Sequence, residues 1–333
     1  MASLPVPGQV LDRKKNLPFA ASSVNQSSLA SVSAFTVAAA STAPWTGPSL
    51  EPAEEPSIVF TTAAELFAAL EATDGDALMV HKVPAEAMRE LDRVRDLRQR
   101  KVKFFYFSEK SLLIVTIPTG SHETMYNYLQ HWLSYEIGRM GLISSWMSVG
   151  GTRYPGNSTT GSSGEGDSGG LPLPARGDSE DWPTLVFESG YSQSLISLRM
   201  KMRFWFAQSD HDVKIVILAK AFPDSREKRI LIEQWQARGT PPRPGATTTR
   251  RSQILEPVCL QTINVVWALE TPYDEASVEL QASAESFNVT RGPLVLDFAM
   301  CFLREPNEPN EHDFVFSDKV LQTCAARVWK LSN

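Results

Sequence analysis

Apolar positions divide the 333-residue chain into an N-terminal part without a core and a longer part that can fold. Residues 1–55 are rich in Ala, Ser, Thr and Pro and contain few large apolar groups, so burial there cannot offset the entropy lost on ordering. The pattern predicts a disordered tail over residues 1–55, followed by a single folded domain over residues 56–333.

The first half of that domain alternates between strand and helix periodicity. This pattern predicts a strand from Ser57, a helix that begins at Thr61 or Thr62, and a helix over 84–100. It then predicts a hairpin formed by the runs that begin at Lys103 and Ser111, a helix over 122–140 capped by Ser121, and a strand over 142–149. The helix over 122–140 has the most regular apolar stripe, which includes Tyr128, Leu129, Trp132 and Leu133.

The second half contains a strand, a helix and two more strands in close succession. The predicted elements are strands over 184–188, 213–221, 229–235, 261–269 and 294–303, and helices over 192–208 and 317–329. A strand–helix–strand crossover followed directly by another strand indicates a mixed sheet. The fold class is therefore α/β (α+β), with a mixed central sheet flanked by helices. Gly/Ser-rich composition predicts a flexible loop near 156–180, and Pro, Thr and Arg predict another near 239–252.

Composition narrows the function classes only slightly. The net charge of −6 gives no overall attraction to phosphate, so nucleic-acid binding would need a local basic patch or a bound cation. The three cysteines are widely spaced and fit neither a disulfide framework nor a zinc site. No signal peptide and no long apolar run is recognisable, so we expect no membrane association and a location in the cytoplasm or nucleus.

Glu188 is the first candidate for chemistry, because a carboxylate ends an apolar strand directly before Ser189, Gly190 and a helix. Strand ends are where sites are built in α/β sheets, although a lone carboxylate there is also a common surface residue or cap. His122 lies beside Glu123 at the start of a helix, where neighbouring side chains point about 100° apart. We interpret His122 as a helix-start residue.

The run from Asp181 to Leu195, Asp-Trp-Pro-Thr-Leu-Val-Phe-Glu-Ser-Gly-Tyr-Ser-Gln-Ser-Leu, resembles an uncharacterised fungal family. That family is distantly similar to the Uma-type, restriction-endonuclease-like nucleases of the PD-(D/E)XK superfamily. The resemblance continues through Leu198-Arg-Met-Lys-Met-Arg-Phe-Trp-Phe and Val213-Lys-Ile-Val-Ile-Leu, and spans roughly residues 100–330.

The resemblance implies two strand-borne acids that hold Mg²⁺ or Mn²⁺, a lysine that orients or activates water, and a glutamate from the first helix. Carboxylates suit such an ion because Mg²⁺ takes oxygen ligands and keeps several waters. Carried over residue by residue, Asp167 and Glu188 are the acid pair, Lys201 is the lysine, and Glu123 is the helix acid.

The sequence departs from the family pattern at two of these positions. The family's Pro-Asp is Gly166-Asp167 here, in a Gly/Ser-rich setting without a strand pattern, so Asp167 could instead be a solvated loop carboxylate. The family's Glu-x-Lys places Gly190 at the lysine position, and Lys201 on the following helix would have to replace it. Lys201 could equally be one charge of a solvated helix exterior that includes Arg199 and Arg203.

Four arginines are candidate nucleic-acid contacts: Arg199, Arg203, Arg250 and Arg251. Positions 199, 201 and 203 fan out over about 200° of a helix, so they cannot form one face. Two hypotheses follow, a divalent-metal-dependent nuclease acting on DNA or RNA phosphodiester bonds and a catalytically inactive nuclease-fold protein that binds a partner. A scaffold without any nucleic-acid role is the third class.

Overall fold

The computed structural model describes residues 55–156, 161–223, 227–239 and 255–332. The predicted tail lies outside these residues except for Glu55, as do Arg250, Arg251 and almost all of the loop predicted over 239–252. Within the described parts of the chain, no helix is both long and apolar enough to cross a membrane.

The first layer is a six-stranded sheet with two helices. Its elements are β1 (Ser57–Val59), α1 (Ala63–Glu71), β2 (Ala77–His81), α2 (Ala87–Leu97), β3 (Lys103–Phe107), β4 (Leu112–Thr116), β6 (Arg153–Pro155) and β7 (Ser163–Glu165). The strand order is β1-β2-β4-β3-β7-β6, and only the β1–β2 pair is parallel. The predicted hairpin is confirmed as β3 and β4, but β2 was not predicted.

The second layer is a seven-stranded mixed sheet. Its elements are α3 (Gly120–Arg139), β5 (Trp146–Val149), β8 (Ser168–Pro172), β9 (Leu185–Gly190), α4 (Leu195–Gln208), β10 (Ile215–Phe222), β11 (Arg229–Gly239), β12 (Leu255–Trp267) and β13 (Phe287–Thr290). The order is β13-β12-β11-β10-β9-β8-β5, in which α4 joins the single parallel pair, β9 and β10. The predicted crossover and the α+β class are confirmed.

The C-terminal elements complete one side of this sheet. They are α5 (Val278–Ala282), β14 (Leu294–Leu296), α6 (Phe298–Phe302), β15 (Phe314–Phe316) and α7 (Asp318–Lys330), with β14 and β15 paired as a separate ribbon. The strand predicted over 294–303 is therefore wrong beyond Leu296, because Asp297 caps a short helix with its side chain.

The two sheets lie on opposite sides of α4. Phe105 and Ile114 of the first sheet pack with α4 and with Val216 and Leu218 of the second. Because strand side chains alternate, Phe104 and its neighbours face α1 and α2 instead. The other face of the second sheet packs on α3, α6 and α7. Helix α4 is thus buried on two sides, and its exposed residues, Ile196, Arg203 and Ala207, lie along one remaining stripe.

Side-chain caps fix where the helices around the site begin. Thr119 accepts a hydrogen bond from the backbone N–H of His122, and Ser194 accepts one from Ser197. The predicted cap of α3 at Ser121 is therefore wrong by two residues, and Ser121 instead lies buried inside the first turn. This shift places His122 on the buried stripe that continues through Met125 and Leu129.

The flexible loop predicted near 156–180 is not what the structure has over residues 163–172. Strands β7 and β8 occupy this stretch, and β8 is fully buried. Its glycines are required by close packing. A Cβ at Gly164 would lie 2.5 Å from the Phe105 ring, and one at Gly170 would overlap the Trp146 indole. The glycine content of this stretch therefore reflects the close approach of aromatic rings to the backbone and not flexibility.

Candidate functional site

Asp167 and Glu188 lie in one buried polar cluster between the two sheets. Glu188 is on β9, in register with Leu218 of β10, and Asp167 follows β7 directly before β8. Both carboxylates are completely buried. The alternative that Asp167 is a solvated loop carboxylate is therefore wrong, because strands β7 and β8 carry it into the interior.

Asp167 accepts contacts on both carboxylate oxygens. Oδ1 lies 2.8 Å from the Lys103 ammonium and 3.2 Å from Nε2 of His122. Oδ2 accepts hydrogen bonds from the backbone N–H and the hydroxyl of Ser189, at 2.8 Å and 3.2 Å. Burial alone would raise the pKa of Asp167, but the His122 and Lys103 cations hold it well below its usual range.

Glu188 has a weaker set of partners. Its Oε1 accepts a 2.8 Å hydrogen bond from Nε1 of Trp205, and its Oε2 lies 3.4 Å from the Lys201 ammonium. Burial is the largest influence on this carboxyl. Together with the nearby Asp167 charge it raises the pKa of Glu188 to about 7, against the opposing effect of Lys201. Glu188 is thus the one acid of the cluster that changes charge near neutral pH.

Lys201 is fully buried, so its interpretation as part of a solvated helix exterior is wrong. Besides Glu188, its ammonium donates to the hydroxyl of Thr116 at 2.9 Å and to the side-chain oxygen of Gln193 at 3.2 Å. Position 201 lies three residues after Leu198 and four before Trp205, on the inward stripe of α4. That spacing was the signal available in the sequence.

His122 joins the cluster, and the predicted helix acid Glu123 does not. The His122 ring is completely buried, with Nδ1 3.1 Å from Asp76 and Nε2 at ion-pair distance from Asp167 but not aligned for a hydrogen bond. Burial opposes its protonation, yet Asp167 and Asp76 raise the pKa of His122 to about 9. Glu123 is exposed and borders a surface cavity beside α7, because the next helix position points about 100° away.

Asp76 is the acid of the cluster that sequence reasoning missed, and Lys103, placed only in the predicted hairpin, is the missed cation. Asp76 precedes β2 and accepts hydrogen bonds from the backbone N–H groups of Tyr191, Ser192 and Gln193, in the turn before α4. Burial would raise the pKa of Asp76, but His122 and the Ser192 hydroxyl hold it below its usual range. A carboxylate before a buried strand was visible in the sequence, but its backbone partners lie 115 to 117 positions away and His122 lies 46 positions away.

The arginines predicted to contact nucleic acid do not gather at this cluster. Arg199 pairs with the buried Glu233 of β11, and its guanidinium lies 5.9 Å from the Trp235 ring. Arg203 is exposed and lines a cavity of about 160 Å³ with Phe107 and Lys110. Arg199 and Arg203, four residues apart, lie on the outer side of α4 and Lys201 is buried on the opposite side, so the three do not form one face, as expected. Arg250 and Arg251 lie outside the described residues.

The divalent ion implied by the resemblance does not fit the cluster as it stands. Carboxylate oxygens would be its ligands, and all four contacts that the Asp167 oxygens make are to lysine, histidine or serine. Within the described ranges, no group of three or more His, Cys, Asp or Glu side chains is arranged to hold a metal ion. Three cations, Lys103, His122 and Lys201, instead neutralise three acids from within the protein.

Comparisons with known proteins give little beyond this geometry. No family model matches the chain, and no curated protein matches it. Among solved structures, it is similar to a DUF820 protein from Anabaena variabilis that is proposed to be a nuclease. That match has 11% sequence identity and a TM-score of 0.28, and covers 46% of this chain and 75% of the other. A TM-score this low carries no inference about the chemistry of this chain.

Proposed function

We propose that this protein carries a nuclease-like acid pair but acts by binding a partner rather than by hydrolysing phosphodiester bonds. The observation that carries the proposal is that Asp167, Glu188 and Lys201 are completely buried and paired with one another or with Lys103 and His122. In this arrangement internal cations hold the positions beside the acids that a divalent ion and its waters would need.

Access to the cluster supports the same conclusion. A phosphodiester and an attacking water must both reach a hydrolytic centre, yet only Lys103 among its charged members has measurable side-chain exposure, at 15%. Lys103 caps Asp167 from that side, and its ammonium lies 4.9 Å from the Tyr126 ring. Catalysis would therefore require Lys103 to leave and the cluster to open.

The second candidate is the Mg²⁺- or Mn²⁺-dependent nuclease acting on DNA or RNA. It is favoured by the convergence of Asp167, Glu188 and Lys201, which the resemblance assigns to the acid pair and the lysine. When bound, the ion would supply an activated water. This chain's own residues would have to release the acids first. Removing Lys103 takes away the closer of the two cations at Oδ1 of Asp167 and leaves the His122 ring as the other.

The deciding experiment is titration of Mg²⁺ and Mn²⁺ into the wild type, Lys103→Ala and Glu188→Gln by calorimetry, with plasmid and RNA cleavage assays on the same samples. We expect neither metal binding nor cleavage by the wild type, and Lys103→Ala reports whether a latent metal site exists. Metal-dependent cleavage by the wild type that Glu188→Gln abolishes would overturn the proposal and establish the nuclease.

A further inference from the structure

A row of aromatic side chains lies on the exposed side of α3. Tyr128, His131, Trp132 and Tyr135 follow the i, i+3, i+4, i+7 spacing of one helix face and extend about 10 Å along the helix axis. They line two adjoining cavities of about 390 Å³ and 290 Å³, which share Tyr128, His131 and Arg327 of α7. We call this surface the aromatic groove.

The rings of the aromatic groove are held in place, and an arginine lies near each end. Trp132 donates its indole N–H to the carbonyl of Val315 on β15 at 3.2 Å, and its ring centroid is 5.3 Å from that of Tyr135. The Arg327 guanidinium lies 4.9 Å from the Tyr128 ring, and that of Arg139 lies 5.9 Å from the Tyr135 ring. Tyr135 is 55% exposed, so a planar ligand can reach it.

Two arginines and two glutamates surround the groove, so its local charge is balanced, whereas the chain as a whole carries −6. Arg327 and Arg139 are its two cations. Glu136 partly offsets Arg139 at 3.5 Å, and exposed Glu123 borders the wider cavity. Flat rings between two guanidinium groups suit a ligand that alternates planar bases with phosphates.

We propose that the aromatic groove binds single-stranded nucleic acid, with bases stacked on Tyr135 and its neighbours and phosphates contacting Arg327 and Arg139. A duplex does not expose the faces of its bases, so an unpaired strand is the form that the rings can bind. This inference names the partner of the binding function proposed above, and it does not require the buried cluster to be catalytic.

The test is fluorescence anisotropy with labelled oligo-dT and oligo-rU of about 12 nucleotides, and with a matched duplex, at several salt concentrations from about 50 mM upward. Tyr135→Ala should weaken binding of the single strands about tenfold through lost stacking. Arg327→Ala should weaken it and reduce the slope of log affinity against log salt by about one. Glu123→Gln should tighten it.

Arg93→Ala is the matched control, because Arg93 is 60% exposed on α2 and its loss changes the net charge as the loss of Arg327 does. It should leave binding unchanged. The proposal is overturned by wild type that binds no single strand at low salt, by preference for the duplex, or by equal affinity of all variants. Self-association that Tyr135→Ala abolishes, with no strand binding, would assign the groove to a second copy of the chain. None of these outcomes depends on metal binding, so none of them tests the proposal that the buried cluster is not catalytic.

Discussion

His122 is the residue that joins the two ends of the buried cluster. Its ring lies between Asp76 on one side and Asp167 on the other, with both contacts at 3.1 to 3.2 Å. A buried imidazolium between two carboxylates is stable only while all three charges are present. The cluster therefore behaves as one unit in which each charge sets the protonation state of its neighbours.

We expect the stability of the protein to fall as the pH rises through about 9, because His122 then loses its proton. Its pKa is about 9 in the folded protein and about 6.5 when unfolded, so this stabilisation is fully present below pH 6.5 and is lost above pH 9. The difference corresponds to about 3 kcal/mol. The free energy of unfolding, measured in urea from about pH 6 to pH 10 in the wild type and in His122→Gln, checks this. A constant difference between the two proteins would contradict it.

Lys201 and Glu188 give a second prediction at this scale. Glu188→Gln leaves the Lys201 charge unpaired in the interior and should lower the free energy of unfolding by about 3 to 5 kcal/mol. Lys201→Met should lower it by less at neutral pH, because Glu188, whose pKa is about 7, can then become neutral. The double variant should lose less than the sum of the two. The control is Arg203→Met, an exposed residue on the same helix, which should cost less than about 0.5 kcal/mol. Equal losses for Glu188→Gln and Arg203→Met would show that the buried pair contributes nothing.

At the scale of elements, the second sheet depends on glycines that admit aromatic rings. Strands β5 and β8 are paired over four residues, and Trp146 of β5 lies against Gly170 of β8. Helix α4, by contrast, could be predicted from its apolar composition and the serine before it. Strands β7 and β8 could not be predicted, because a loop and a strand packed against aromatic side chains can have the same pattern of Gly and Ser.

Gly170→Ala should lower the free energy of unfolding by about 1 to 3 kcal/mol, because the added methyl group overlaps the Trp146 indole and forces β5 away from β8. Gly150→Ala, just after β5, meets no atom within 4 Å and should change the stability by less than about 0.5 kcal/mol. Urea denaturation measures both. Equal stabilities of the two variants would mean that the close approach of Trp146 to Gly170 does not matter.

At the scale of the whole molecule, the polar cluster connects the two sheets. Asp76 before β2 bonds to the turn that begins α4, and Lys103 of β3 bonds to Asp167 before β8. Periodicity predicts β1, the β3–β4 hairpin and the run from β9 to β12, but not β2, β6, β7, β8 or β13, so only part of each layer was predictable. Their connection was not, since Asp76 and its backbone partners are separated by more than 100 residues and nothing local marks them as neighbours.

We predict that Asp76→Ala uncouples the two layers during unfolding, because it leaves three backbone N–H groups and His122 without their acceptor. Residues 55–119 contain no tryptophan, and seven of the eight tryptophans lie between Trp132 and Trp329. Once Trp45 is replaced by Phe in all proteins compared, tryptophan fluorescence therefore reports on the second layer and its contact with the first, while far-ultraviolet circular dichroism reports on both layers. The two transitions should coincide in the wild type and separate in Asp76→Ala. Coincident transitions in the variant would show that apolar packing around α4 suffices to couple the layers.

The complete burial of His122 also has a kinetic consequence. Proton exchange with solvent needs a path for water, and both ring nitrogens face buried carboxylates, so the imidazolium can lose its proton only when the surrounding structure opens. Its N–H protons should therefore persist as slowly exchanging signals in the far-downfield region of the proton spectrum. After a rapid jump to alkaline pH, the protein would retain the charge acquired at the earlier pH until the next opening event.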